Sequence, residues 1–376
     1  MSMDPVFVFG TLRHDGLRAT VLGDAGGVHA VPAVLSGARA HWVEGADYPM
    51  LVEDPDGRAE GLVLEGLSEV HRARLDYFEG GFGYDLVPVE VETDAGPRRA
   101  LRYLHDDAAE PAGPWSLEDW ADHHAPLWVA AAEEAMAYFG EIDGATLAGR
   151  MPMIRMRAGS RLRAEQPGPA TVRSARRAET DVAVKALRRP YADYFAVLEA
   201  DLSFRQFNDR QSPVLTRAGF AGGDAVTVLP YDPVRDEVLL VEQFRMGPFA
   251  RGDVMPWVLE PIAGRVDPGE AIETTARREA LEEAGLTLGR LHFVNGHYPS
   301  PGAVTEFVYA YVAEADLSGQ HGTVAGLDTE GEDIRSHVVS FDTLMSLVET
   351  GEAGAGPLVI SAFWLALNRA TLRGDA

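Results

Sequence analysis

Cysteine is absent from the 376 residues. Its absence excludes disulfides, thiolate nucleophiles and cysteine-ligated zinc together, and leaves no sign of an oxidising compartment. Lysine is nearly absent as well: Lys185 is the single one, and arginine takes its place. That bias reads as genome composition before function. No apolar run reaches membrane-spanning length, the best candidate, APLWVAAAEEAMAYFG, being interrupted by Glu133 and Glu134. A basic surplus is also missing. The formal charge of −25 argues against a general binder of nucleic acid or membrane surface, which would present a basic face. It repels anions too, so a phosphate site here needs a local cation or metal. The opening MSMDPVFVFGTLRHDG lacks a basic region followed by an apolar run. No secretory signal is therefore expected, and a cytoplasmic protein is.

What is present describes a globular chain, 46% hydrophobic and 24% charged, and longer than one core usually serves. PVFVFG, EGLVLEGL, DLVPVEVET and RRALRYLH alternate with turns and predict strands of a small mixed sheet. WSLEDWADHHAPLWVAAAEEAMAYFG predicts one helix, capped by Ser116 and stopped by Gly140. RAEQPGPATVRSARRAET has no hydrophobic period and carries Pro167, Gly168 and Pro169, which marks the join. The expected organisation is a domain over 1–165, a linker over 166–180 and a domain over 181–376. Both domains are mixed α/β (α+β), with no internal repeat. His123 and His124 are neighbours on the expected helix, cannot converge on a metal, and are expected in solvent.

The densest chemistry lies in GRVDPGEAIETTARREALEEAGL, Gly264 to Leu286. Helical spacing runs from about Ile272 to Ala284, and Gly285 is a natural stop. Glu279 and Glu283, four apart, share one face with Glu282 beside them. Carboxylates this close repel unless a cation sits among them, and oxygen-only ligands suit magnesium or manganese. Leu281 and Ile272 are expected to face a core, and Arg278 to tie the preceding loop through Glu270. A solvated acidic helix is the bland alternative. Seven fixed positions at about one tenth frequency each, over roughly 350 windows, match by accident on the order of once in ten thousand or rarer.

This segment resembles the Nudix box of the Nudix hydrolases. PYDPVRDEVLLVEQFR, WVLEPIAGRVDPGE, SPGAVTEF and EGEDIRSHVV extend the likeness to bacterial ADP-ribose pyrophosphatases, from about Asp181 to the C-terminus. The resemblance implies magnesium, or manganese, held by Glu279, Glu283 and the carbonyl of Ala263. It implies a general base on a loop after the box, at Glu330, with Glu332 near the metals and Glu282 in the catalytic set. It further implies that Arg245 contacts phosphate or ribose, that Glu306 contacts ribose, and that Tyr194 and Arg217 sandwich adenine. The substrate implied is ADP-ribose or another ADP-sugar, cleaved to AMP and ribose 5-phosphate. In the resembling enzymes the leading strands cross to a partner subunit, which implies a homodimer. A sensing protein that binds without turnover is the competing reading, and the intact carboxylate set weighs against it.

In the first half, a Gly-Thr-Leu turn after a strand exposes backbone amides able to hold a carboxylate or oxyanion. YFEG offers one acid, Glu79, flanked by aromatics that could raise its pKa toward that of a general base. VFVFGTLR and LDYFEGGFGYDLVPVEV together resemble the γ-glutamylcyclotransferase-like fold, a small mixed β-barrel with helices. The resemblance implies Gly10, Thr11 and Leu12 as the binding loop and Glu79 as the base that releases 5-oxoproline. Two positions depart from the pattern: Phe9 stands where tyrosine is usual, and Leu86 where arginine is frequent. A retained scaffold that only binds a metabolite is the alternative for this half. Fusions of these two families often carry the name of tellurite-resistance proteins, a name that no residue here explains.

Overall fold

The β-rich runs of the first half close on themselves. In chain order they are β1 (Val6–Val8), α1 (Asp15–Leu22), β2 (His29–Val43), β3 (Pro49–Glu65), α2 (Glu69–Gly80), β4 (Tyr84–Thr93), β5 (Gly96–His105) and β6 (Pro111–Pro114). Strand β1 lies antiparallel to β3 and parallel to β5; β5–β4, β4–β2 and β2–β3 are antiparallel. Five strands therefore form a closed barrel, with β6 attached to β2. Phe7, Ala33, Val63, Val91 and Ala100 form a buried cluster contributed by all five barrel strands, as the alternating pattern predicts. The computed structural model describes residues 3–81, 84–105, 109–166, 168–326 and 332–374. The chain divides into units Met1–Pro167 and Gly168–Ala376.

The helix expected after Ser116 is two helices, α3 (Leu117–His123) and α4 (Ala125–Met136). Ser116 does cap the first, accepting from the Asp119 N–H at 3.1 Å. Pro126 explains the break, because its ring cannot share a helix with the carbonyl four residues back. His124 sits in that break rather than in open solvent. Its ring packs edge-on against Trp42, centroids 5.6 Å apart, and lies 4.0 Å from Asp47. The second helix ends at Met136, before Gly140. Helix α5 (Gly144–Ala164) joins α4 through a buried pair, Arg157 Nη2 to Glu134 Oε1 at 2.6 Å.

The second unit begins with α6 (Ala178–Asp181) and an antiparallel sheet of β7 (Val182–Ala192), β8 (Ala196–Phe204) and β9 (Leu215–Ala221). A larger mixed sheet follows, built on β10 (Ala225–Asp232) and β11 (Glu237–Phe244). After α7 (Met246–Arg251) come β12 (Trp257–Glu260), β13 (Ile262–Arg265), α8 (Ile272–Ala284), β14 (Leu291–His297) and β15 (Val308–Glu314). The chain closes with β16 (Val324–Ala325), β17 (Ile334–Ser340), α9 (Phe341–Thr350) and α10 (Gly356–Arg373). The sheet order is β14–β15–β10–β11–β17–β16, with β13 on β10 and β12 on β11. Val226, Val228, Leu239 and Val241 pack toward α8, whereas Leu229, Tyr231, Val238 and Leu240 pack with residues of α9 and α10. Burial on both faces is why AVTVLPYD and EVLLVEQF read as nearly continuous apolar runs.

Helix α8 has the expected bounds, and Gly285 ends it in the left-handed region at φ 60°. Its buried face is Thr275, Ala276, Ala280, Glu283 and Ala284. Ile272 packs against that core as expected, but Leu281 does not. One step beyond Ala280 turns Leu281 about 100° away, and it is 60% exposed. The mixed α/β class expected from the sequence holds in both units. Among the described residues no helix is long and apolar enough to cross a membrane.

Candidate active site

Helix α8 carries Glu279 and Glu283 on the face it turns to β13. Glu283 is 2% exposed and accepts one hydrogen bond, from the Ala263 N–H at 3.2 Å. Burial raises its pKa to about 8, and the charges of Glu279 and Glu332 add to the rise. Burial likewise raises Glu279 to about 7, with Arg278 opposing and Glu282 and Glu332 adding. Gly264 makes the close approach possible: a methyl group there would lie 1.9 Å from the Glu279 carboxyl carbon. A side chain at that position would push the Glu279 carboxylate out of its place.

One guanidinium organises the segment. Arg278 donates to Glu270 Oε2 at 3.2 Å and to Glu282 Oε2 at 2.9 Å, and pairs with Glu279 Oε1 at 2.8 Å. It reaches the Arg265 carbonyl as well, at 3.3 Å. The expected tie from Arg278 to the loop through Glu270 is therefore present. Glu282 belongs to this clamp on the arginine side of the helix.

The remaining residues of the expected site gather unevenly. Arg245, at the end of β11, donates to Glu260 Oε2 at 2.6 Å and is close enough to affect both Glu283 and Glu306. Burial raises the Glu306 pKa, with Arg265 opposing, Asp224 adding and Arg245 opposing. Glu332 acts on Glu279 and Glu283 through its charge, whereas Glu330 lies outside the described residues. Tyr194, in the β7–β8 turn, has the Arg265 guanidinium 4.5 Å from its ring centroid. Within one chain the structure does not bring Arg217 to Tyr194. Arg217 pairs with Ala200, whereas the turn end of β8 pairs Ala196 with Ala221. Four residues of strand, roughly 13 Å, separate those levels. Arg265 is a site residue that was not expected from the sequence, although its place directly after Gly264 was a usable signal.

In the first unit, Gly10 precedes a single helical turn, Thr11–Arg13. The amides of Arg13 and His14 bond back to Gly10 and Thr11, both at 3.0 Å. Those of Thr11 and Leu12 find no backbone acceptor among the described residues. Glu79 stands in the last turn of α2, which a capping box of Ser68 and His71 begins. Gly81 then meets the Gly144 carbonyl so closely that a methyl group would lie 1.9 Å from its oxygen, which fixes the helix end. Burial alone raises the Glu79 pKa to about 7. Tyr103, close enough to feel that carboxylate, donates to Asp76 Oδ1 at 2.6 Å. A cavity of about 90 Å³ lies between Phe9 and Pro49 on one side and Tyr103 on the other.

Comparison with known proteins fits both geometries. The family model described as NUDIX domain matches residues 222–360. An ADP-ribose pyrophosphatase of Escherichia coli (strain K12) is 38% identical over 197 residues, which cover 52% of this chain and 93% of that protein. One from Haemophilus influenzae is 35% identical over 197 residues, covering 52% and 90%. A GDP-mannose pyrophosphatase of Enterobacter sp. (strain 638) is 32% identical over 146 residues, covering 39% and 75%. The chain belongs to the NUDIX family. Its second unit is a Nudix pyrophosphatase. The first unit matches the model described as Gamma-glutamyl cyclotransferase, AIG2-like, over residues 6–122.

Nudix hydrolases generally use divalent metal ions, and the residues of this Nudix unit fit one. Two carboxylates stand side by side in a poorly solvated place, and the glycine beside them leaves their oxygens unobstructed. The chemistry of the set, hard oxygen donors only, is that of magnesium or manganese sites. Among the described residues no three His, Cys, Asp or Glu side chains close on one point. Two side chains and the Ala263 carbonyl therefore make up the proposed protein share, with water and substrate oxygens supplying the rest.

Proposed function

We propose that the Nudix unit hydrolyses ADP-ribose, or a related ADP-sugar, to AMP and ribose 5-phosphate with magnesium. The observation that carries this reading is the buried pair Glu279 and Glu283 against Gly264, in a unit similar to ADP-ribose pyrophosphatases. Glu279, Glu283 and the Ala263 carbonyl would hold the metal, for which manganese is an alternative. Bound there, a divalent cation supplies charge neutralisation for the diphosphate and acidifies a water. Arg245 positions phosphate or ribose, Glu306 takes the ribose hydroxyls, and Tyr194 stacks on adenine. Water adds at one phosphorus, the bridging P–O bond breaks, and Glu330 accepts the proton. Glu332 stays beside the metal-holding pair.

The test is turnover of ADP-ribose, ADP-glucose, NADH and GDP-mannose with magnesium, followed by AMP or GMP release. ADP-ribose is expected to lead. A faster GDP-mannose reaction would reassign the substrate, and binding without any turnover would favour the sensing reading.

The reading includes a homodimer. Leu187 and Tyr191 on β7, and Phe207 in the loop between β8 and β9, are more than half exposed, which an apolar interface would cover. A partner chain would also bring a second Arg217 into play for the adenine stack. Sedimentation is expected to give a dimer, and a fully active monomer would sink this part.

For the first unit, the proposed reaction is release of 5-oxoproline from γ-glutamyl compounds. Glu79 would take a proton from the α-amine, whose nitrogen bonds to the γ-carbonyl carbon, and would return the proton to the departing amine as its bond to that carbon breaks. The amides of Thr11 and Leu12, which find no backbone acceptor among the described residues, would serve as oxyanion or carboxylate donors.

A further inference from the structure

We propose that Arg265 governs base recognition in the Nudix unit: with Tyr194 it forms, inside one chain, the platform on which a nucleobase stacks. The proposal deepens the reading of this unit as a nucleoside diphosphate hydrolase and rests on that reading. Strand alternation places the residue. Gly264 faces Glu279 on α8, so the next residue of β13, paired with Ala225, points to the other side of the strand. There its guanidinium lies over two rings, 4.5 Å from the Tyr194 centroid and 4.9 Å from that of Phe195. The rings are themselves held. Tyr194 meets Phe195 edge-on at 4.9 Å, and Phe195 lies 4.6 Å from Phe220. Phe220 donates its N–H to the Ala303 carbonyl at 2.7 Å and accepts from the Thr305 N–H at 3.0 Å. The turn that carries Tyr194 is thereby fixed to the segment that leads into Glu306.

A cation over a tyrosine ring is often structural, and three observations point to a ligand here. Tyr194 is 55% exposed although Arg265 lies over its ring, which leaves surface for a base. The neighbours also fall in a telling order. Arg265 is the first of the charges that oppose the burial-raised pKa of Glu306; Arg245 opposes it too, and Arg245 acts on Glu283 as well. Ring platform, ribose acid, phosphate arginine and metal-holding carboxylate thus follow one another as base, ribose and diphosphate do in the substrate. Finally, Arg217 stands four residues of strand from the Tyr194 turn, whereas Arg265 is already there. A guanidinium is planar and stacks on aromatic faces, and bases stack on such surfaces whatever their sequence. The backbone of this platform is tied to the box, because the Arg265 carbonyl accepts from Arg278 at 3.3 Å. One strand therefore serves the metal-holding helix with Gly264 and the base with Arg265.

Calorimetric titration of the full chain with AMP and with ribose 5-phosphate, both with magnesium, separates the outcomes, because the second ligand keeps sugar and phosphate and lacks the base. Wild type is expected to bind AMP about tenfold tighter or more, in line with one base stack. That preference should vanish in Arg265→Met and persist in part in Arg265→Lys, which keeps the charge and loses the plane. Ribose 5-phosphate should bind both variants as it binds wild type. In turnover of ADP-ribose, Arg265→Met should raise KM about tenfold with kcat little changed, as loss of uniform binding does. Equal binding of AMP and ribose 5-phosphate to wild type, or a preference kept by Arg265→Met, overturns the proposal. Equal weakening of both ligands in Arg265→Met would make Arg265 a phosphate contact and overturn it too. Should Arg265→Met fail to fold, Arg265→Lys decides, and a full preference there sinks the stack. Turnover of GDP-mannose with none of ADP-ribose, beside an AMP preference that depends on Arg265, would refute the substrate reading instead and leave the platform.

Discussion

Replacing Glu283 with glutamine is expected to lower ADP-ribose turnover by about a thousandfold while the protein stays folded. The loss corresponds to removing one metal ligand, a contribution of several kcal/mol to the transition state. Glutamine has nearly the same shape and helix propensity, and its carbonyl oxygen can still accept from the Ala263 N–H. It also removes a charge that burial disfavours, so the melting temperature should not fall. Glu330→Gln is expected to cost roughly a hundredfold in kcat with little change in binding, as loss of a general base does. A larger loss in Glu332→Gln would move the base to Glu332. Full activity of Glu283→Gln at saturating magnesium would remove Glu283 from the metal site.

The box was legible because its chemistry is local. Fixed spacing set the bounds of α8, and Gly285 and the Arg278–Glu270 tie followed from neighbours on one helix and its loop. What was not legible depends on pairings distant in sequence. The barrel itself was implied by the family resemblance, but the pairings that close it, β2 with β3 and β4 and β1 with β3 and β5, are encoded by no local pattern. The same holds for Arg265, which reaches Tyr194 across 71 residues of chain. Leu281 was misplaced for a different reason: an apolar residue in a helix suggests a core, but the direction of its neighbours decides. The break before Pro126 was local and could have been read from the proline.

Replacing Glu79 with glutamine is expected to abolish 5-oxoproline release and to stabilise the first unit above neutral pH. Both effects come from the same burial, which lifts the carboxyl from 4.5 to about 7. An acid with a raised folded pKa holds its proton more tightly in the native state than in the unfolded one. Stability therefore falls as pH rises from about 4.5, and the full deficit is reached above about 7. The deficit is on the order of 3 kcal/mol at most, because the side chain keeps some solvent contact. Glutamine carries no such term, so the melting-temperature gain of Glu79→Gln should grow across that window and then level off. The catalytic signature runs the other way: a base must be ionised, so wild-type release should rise with pH toward a plateau above about 7. A structural acid would show the stability trend without the rate trend. Each unit has its own buried core, so ADP-ribose hydrolysis should be untouched by the substitution. Slower hydrolysis in Glu79→Gln would mean that the two sites communicate. Failure of wild type to release 5-oxoproline would make Phe9 and Leu86 the first positions to restore.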